Sequence, residues 1–221
     1  MGSEIVIDAE DGHRLGAYLS QPSGAVRGGL VVIQEAFGVN GYIRSVADAF
    51  ALLGYLSIAP SLYDRQAPGA QFGYSTEDLA AARKLRAGLV WGDVLKDVDA
   101  AANEVAPAGK VGIVGYCVGG SVAWLAGQHL KLAAVVSYYG RDIVGLLDRP
   151  PRCPCMLHFA ERDAHIPPDD VETIRNAFPE LPIYVYPGEH GFACDARPTF
   201  EPESTRMAGR RTLALFRKYI G

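Results

Sequence analysis

KVGIVGYCVGGSVAWLAG, residues 110–127, changes character halfway along. Its first part is a short valine-rich run, the pattern of a strand buried on both faces. Its second part spaces apolar residues as a helix does. Gly115, Cys117 and Gly119 mark the bend between them. A G-x-C-x-G turn from strand to helix is a nucleophile elbow with cysteine where serine is usual. Side chains two residues either side of the nucleophile would collide in so tight a turn, and glycine removes the collision. The helix that follows begins with partial positive charge, which favours thiolate over thiol. The Val118 amide would point where an oxyanion forms. The plain alternative is a small buried thiol at a tight turn, since free cysteine is often buried.

Around this stretch the chain alternates. Residues 4–7 and 14–19 flank Asp11-Gly12 and read as a hairpin. GGLVVIQ (28–34) is a buried strand, 42–53 a helix that stops at Gly54, and Tyr55–Pro60 the next strand. Residues 61–75, rich in Pro, Gly and Gln, form a long loop. A helical stretch starts at the cap Ser75, breaks near Gly88–Asp93 and runs to about 105. Strands follow at 110–116, 133–139, 154–160 and 182–187, interleaved with helices at 118–129, 169–178 and 203–220. A hairpin followed by β-α alternation predicts an α/β fold. Its sheet should be mostly parallel, with about seven to eight strands and helices on both faces. With 221 residues and no repeat or linker, one domain over 1–221 is expected.

Apolar residues make up 49% and charged ones 21%, which suits a folded globular chain. A net charge of −4 without a basic run argues against nucleic acid or an anionic membrane as partner. No apolar stretch reaches the roughly 18–20 residues of a membrane span. MGSEIVIDAE lacks the marks of a signal peptide, so the expected location is the cytoplasm. Cys117, Cys153, Cys155 and Cys194 are too few for a disulfide framework and lack zinc-ligand spacing. The expectation is therefore a monomer or weak homo-oligomer acting on a small molecule, without metal or cofactor.

If Cys117 is a nucleophile, an acid and then a histidine should follow it. His190, in PGEHGF, lies on a glycine-flanked loop after the last strand, where a general base can reach back to the elbow. His165, after strand 154–160, is its rival. Asp163, in FAERDAHIP, is the preferred acid because its strand should neighbour the one leading to His190. Asp142 is the second choice. Glu35, in VVIQEAFGVN, ends a strand in the loop that normally supplies the second oxyanion amide. Its carboxylate there could bond the thiol or take its proton, or could simply face water.

QEAFGVN (34–40), APSLYDRQAPG (59–69), KVGIVGYCVGG (110–120), VSYYG (136–140), RDAHIP (162–167) and EHGF (189–192) together span almost the whole chain. In these motifs the sequence closely resembles the dienelactone hydrolases, also called carboxymethylenebutenolidases, which have the α/β-hydrolase fold and open an enol-lactone ring. The resemblance implies a triad of Cys117, His190 and Asp163 and an oxyanion hole at Ala36 and Val118. It implies a resting thiol held neutral towards Glu35, and an acyl-thioester intermediate. A broader carboxylesterase or thioesterase with the same triad is the alternative. The family's two carboxylate-binding arginines fall on Leu79 and Cys194, so the substrate carries over less well than the chemistry. Arg83, Arg86 and Arg197 offer a differently arranged anion site, and Tyr138 matches a tyrosine that would face substrate.

Overall fold

The computed structural model describes residues 2–221. Strands β1 (Ser3–Asp8) and β2 (Arg14–Ser20) form the opening hairpin. β3 (Gly28–Ile33), β4 (Tyr55–Pro60), β5 (Val111–Tyr116), β6 (Ala134–Tyr138), β7 (Cys155–Ala160) and β8 (Ile183–Tyr186) follow. All eight belong to one sheet of order β1-β2-β4-β3-β5-β6-β7-β8. β2 runs antiparallel to β1 and β4, and every other pair is parallel. The expected fold class is the one observed, an α/β-hydrolase sheet.

The helices are α1 (Gly41–Leu52), α2 (Thr76–Ala87), α3 (Trp91–Val105), α4 (Val118–His129), α5 (Pro168–Ala177) and α6 (Pro202–Tyr219). Neighbouring glycines in β3 show how these divide between the faces. A Cβ on Gly28 would meet Ile220, just past α6, whereas one on Gly29 would meet Val105 at the end of α3. Side chains alternate along a strand, so α6 and α3 lie on opposite faces. α1 joins α6, with Phe50 edge-on to Phe216 at 5.8 Å between ring centres. α4 joins α3. Leu30–Ile33, Ile113–Val114 and Ala134–Val136 are buried completely because both faces of the central strands are covered.

The helical stretch 75–105 breaks at residues 88–90, and its first half starts on a capping box between Ser75 and Asp78. Loop 61–75 has a structural task that its composition does not reveal. The Tyr63 hydroxyl donates to the Ala36 carbonyl at 2.9 Å, Leu62 N–H donates to Gln34 Oε1 at 3.2 Å, and Phe72 N–H donates to the Phe37 carbonyl at 2.8 Å. The loop thus clamps the turn after β3. Arg65 anchors the loop in turn, reaching the buried Asp97 of α3 and Asp11 of the hairpin. No helix among the described residues is long and apolar enough to cross a membrane.

Candidate active site

β5 enters the elbow and α4 leaves it, with Cys117 between them at φ 56° and ψ −119°. A non-glycine residue with positive φ is held there by its surroundings. A Cβ on Gly115 would lie 1.8 Å from the Gly119 carbonyl oxygen, and one on Gly119 would lie 2.4 Å from the Gln34 carbonyl oxygen. Strand, helix and the turn after β3 therefore approach one another through backbone alone. That approach sets Cys117 at the carboxyl end of the sheet, where open α/β sheets place their ligands. The amides of Ala36 and Val118 flank it, and neither donates to another group among the described residues.

The Cys117 sulfur lies 3.1 Å from His190 Nε2. On the other edge of the imidazole, Nδ1 donates to Asp163 Oδ2 at 2.7 Å. The second oxygen of Asp163 accepts the amides of His165 and Ile166, which fixes the carboxylate in place. Asp163 and His190 are both buried. Burial alone would lower the His190 pKa, but Cys117 and Asp163 outweigh it and push the value up to about 10. A raised histidine pKa stabilises the fold fully below the unfolded value near 6.5, and that contribution is lost as pH climbs through about 10.

The rivals take other places. His165 stands edge-on to His190, ring centres 4.9 Å apart, but touches neither the sulfur nor the acid through its ring. Asp142 pairs with Arg86 at 2.8 Å. His158 is a core residue between Thr212 and Tyr186, its pKa pushed down to about 3 by burial. Among the described residues, no three His, Cys, Asp or Glu side chains are grouped to hold a metal.

Glu35 differs from its expected arrangement. It is fully buried, yet no hydrogen bond joins it to Cys117, whose sulfur lies against His190. The nearest cation is Arg197, with Nη1 3.5 Å from Glu35 Oε1. Burial raises the Glu35 pKa, against the opposing pull of Arg197, His190 and the nearby Tyr139 hydroxyl. Neither carboxylate oxygen makes a well-formed hydrogen bond.

Residues 15–220 match the dienelactone hydrolase family. The chain belongs to that family. It is 32% identical over 226 residues to the carboxymethylenebutenolidase of Pseudomonas sp. strain P51, covering 97% of this chain and 94% of that one. It is 31% identical over 222 residues to the Pseudomonas putida enzyme of the same name, covering 95% and 93%. A solved structure from Klebsiella pneumoniae, provisionally named a dienelactone hydrolase, superposes with a TM-score of 0.84 at 30% identity, covering 98% of this chain and all of that one. A dienelactone hydrolase-like promiscuous phosphotriesterase from metagenomic libraries shares the fold, with a TM-score of 0.78 at 18% identity over 100% and 99% of the two chains. The protein is therefore a hydrolase of the dienelactone hydrolase type.

In this dienelactone hydrolase family member, Cys117 opens on a cavity of about 420 Å³. Arg83, Arg86 and Arg197 line it as the sequence suggested, and Leu79 occupies its wall. Arg141 joins them, a residue the sequence reading passed over although it follows the carboxyl end of β6. Tyr138 has to be corrected. Its ring stacks on Tyr116 with centres 4.7 Å apart, and its hydroxyl meets Thr212 Oγ1 at 2.8 Å, on the α1 and α6 side of the sheet. Tyr139 is the tyrosine that turns towards the site, leaving the strand at φ 40° with its ring centre 5.0 Å from that of His190.

Proposed function

We propose that this hydrolase opens activated lactones of the dienelactone enol-ester type, with Cys117 as nucleophile and an acyl-thioester intermediate. The observation that carries the reading is the continuous line Cys117–His190–Asp163 on a strained elbow beside two undonated amides. In it, His190 takes the thiol proton and the thiolate attacks the carbonyl carbon. The carbonyl electron pair moves onto oxygen, where the Ala36 and Val118 amides stabilise it. Collapse breaks the C–O bond to the enol oxygen, which leaves as an enolate and takes the proton from His190. Water, deprotonated by the now neutral His190, then attacks the thioester and frees Cys117 and the acid. Asp163 keeps the imidazole in the required tautomer and balances its charge.

A second reading, a less selective esterase or thioesterase, has one point in its favour. Leu79 and the buried Cys194 stand where the resemblance implies carboxylate-binding arginines. Both readings need the same intermediate, so trapping it is the direct test. Brief exposure to an activated aryl acetate followed by acid quench should leave an acetyl group on the peptide carrying Cys117. Burial makes the other thiols poor nucleophiles, holding Cys155 well above its ordinary pKa and pushing Cys153 up to about 11 and Cys194 up to about 12. Label on any other cysteine, or none despite turnover, would refute the nucleophile.

Asp163→Asn probes the histidine. Loss of the carboxylate should cost about 10²–10⁴-fold in kcat. Because Asp163 helps raise the His190 pKa, the alkaline fall in rate should also move to lower pH. An unmoved alkaline limb would show that the fall does not report His190.

A further inference from the structure

His190 does not stand alone in the site. A second histidine, His165, packs against it with ring centres 4.9 Å apart and planes at 86°, an edge-to-face contact. The backbone fixes that contact. The His165 amide donates to Asp163 Oδ1 at 2.8 Å, the Ile166 amide donates to the same oxygen at 3.2 Å, and the Ile166 side chain is buried in the core. The carboxylate that orients His190 through its other oxygen therefore also holds the chain that carries His165. Among the described residues no hydrogen bond engages the His165 ring, which is exposed on the wall of the catalytic cavity. The mechanism as written gives this ring no task.

Its position against the general base gives it one. Each time His190 takes the Cys117 proton it becomes an imidazolium. A neutral ring set edge-to-face against that cation tolerates it, whereas a second imidazolium at the same distance repels it. Unit charges about 5 Å apart repel enough to shift an equilibrium about fourfold at the dielectric of water, and further where the wall excludes water. His165 touches the imidazole and not the sulfur, so its charge weighs first on His190. Its surroundings keep it neutral at pH 7. Lost hydration lowers its pKa, and His190, Arg141 and Arg83 add to the effect against Asp163. The other cations of the wall, Arg86 and Arg197, are matched by Asp142 and Glu35. We propose that His165 is a positioning residue whose neutral ring supports the imidazolium of His190, and that protonating it suppresses the Cys117 thiolate. This inference rests on the Cys117–His190 reading and extends it to a residue outside the triad.

The test follows iodoacetamide alkylation of the peptide carrying Cys117 against pH, with turnover of 4-nitrophenyl acetate measured alongside. An alkylation rate constant belongs to the folded molecule, so a smaller folded fraction does not change it. In the wild type the constant should fall about three- to tenfold as pH drops through the His165 titration, below the ordinary histidine value of 6.5. His165→Phe keeps an edge-to-face ring that cannot take a proton. It should match the wild type within about twofold near neutral pH and hold its rate to lower pH, without that fall. His165→Lys fixes a cation at the same place and should react about three- to tenfold more slowly near neutral pH than the uncharged His165→Gln. A merely structural role would slow lysine and glutamine alike and leave the acid limb where it is. An acid limb unmoved in His165→Phe, or a lysine variant as reactive as the glutamine one, overturns the role of His165 and leaves the nucleophile standing. Turnover that persists after Cys117 is fully alkylated overturns the Cys117–His190 reading, and the role of His165 with it.

Discussion

Cys117→Ala lowers kcat/KM for an activated aryl acetate by about 10³-fold or more, because removing a nucleophile leaves only binding and the oxyanion amides to act. The loss should come without a loss of fold. Alanine tolerates φ 56° no better than cysteine, so the elbow keeps its strain, and any fall in melting temperature should reflect only the lost contact between the sulfur and His190. Cys117→Gly separates the two effects. Glycine adopts positive φ at no steric cost, so this variant should be as inactive as alanine yet melt higher, by an amount equivalent to about 1 kcal/mol. A nucleophile held in strain thus carries a measurable stability cost. Wild-type turnover in either variant, at matched purity, would remove Cys117 from the mechanism. Equal melting of the alanine and glycine variants would show instead that the elbow stores no strain.

The sequence exposes the elbow because its chemistry is local. Gly115, Cys117 and Gly119 are fixed by contacts within five residues and with the strand end beside them. The order of Asp163 and His190 is legible for a related reason, since parallel neighbours β7 and β8 bring successive strand ends together. Two other features depend on contacts that no local pattern encodes. Tyr138 and Tyr139 form an aromatic doublet on which strand alternation assigns opposite sides but not which side is the site. The choice follows from Tyr138 lying in register with Tyr116 over α6, while Tyr139 departs at positive φ. Glu35 is recognisable as a site residue, but its partner is not. Arg197 reaches it from a loop far along the chain, and the thiol lies against His190. Arg141 falls between these cases. A cation just after a strand's carboxyl end is a signal, but its lack of an acidic partner is visible only in three dimensions.

Gly115→Ala should cost about 3 kcal/mol or more, lowering the melting temperature by roughly 10 °C in a chain of this length and abolishing turnover. The new methyl carbon would meet the Gly119 oxygen at 1.8 Å, the Gly119 carbonyl carbon at 2.3 Å and the Gly120 nitrogen at 2.9 Å. All three are backbone atoms, so no change of rotamer relieves the contact. β5 and α4 must separate, and Gly119 is itself packed against the Gln34 and Ile33 carbonyls. Movement of α4 therefore drags the Val118 amide away from the Ala36 amide across the site. The strain propagates because β5 lies between β3 and β6 and cannot shift without breaking a ladder on either side. Gly209→Ala supplies the contrast. Gly209 lies within α6, and a Cβ there would meet nothing within 4 Å. Alanine at that position should stabilise the protein by about 0.5–1 kcal/mol through helix propensity, with activity retained. If Gly115→Ala melts with the wild type, the close approach of strand and helix is not what shapes the elbow. If it melts low but retains turnover, the alignment of the two amides is not needed for the reaction.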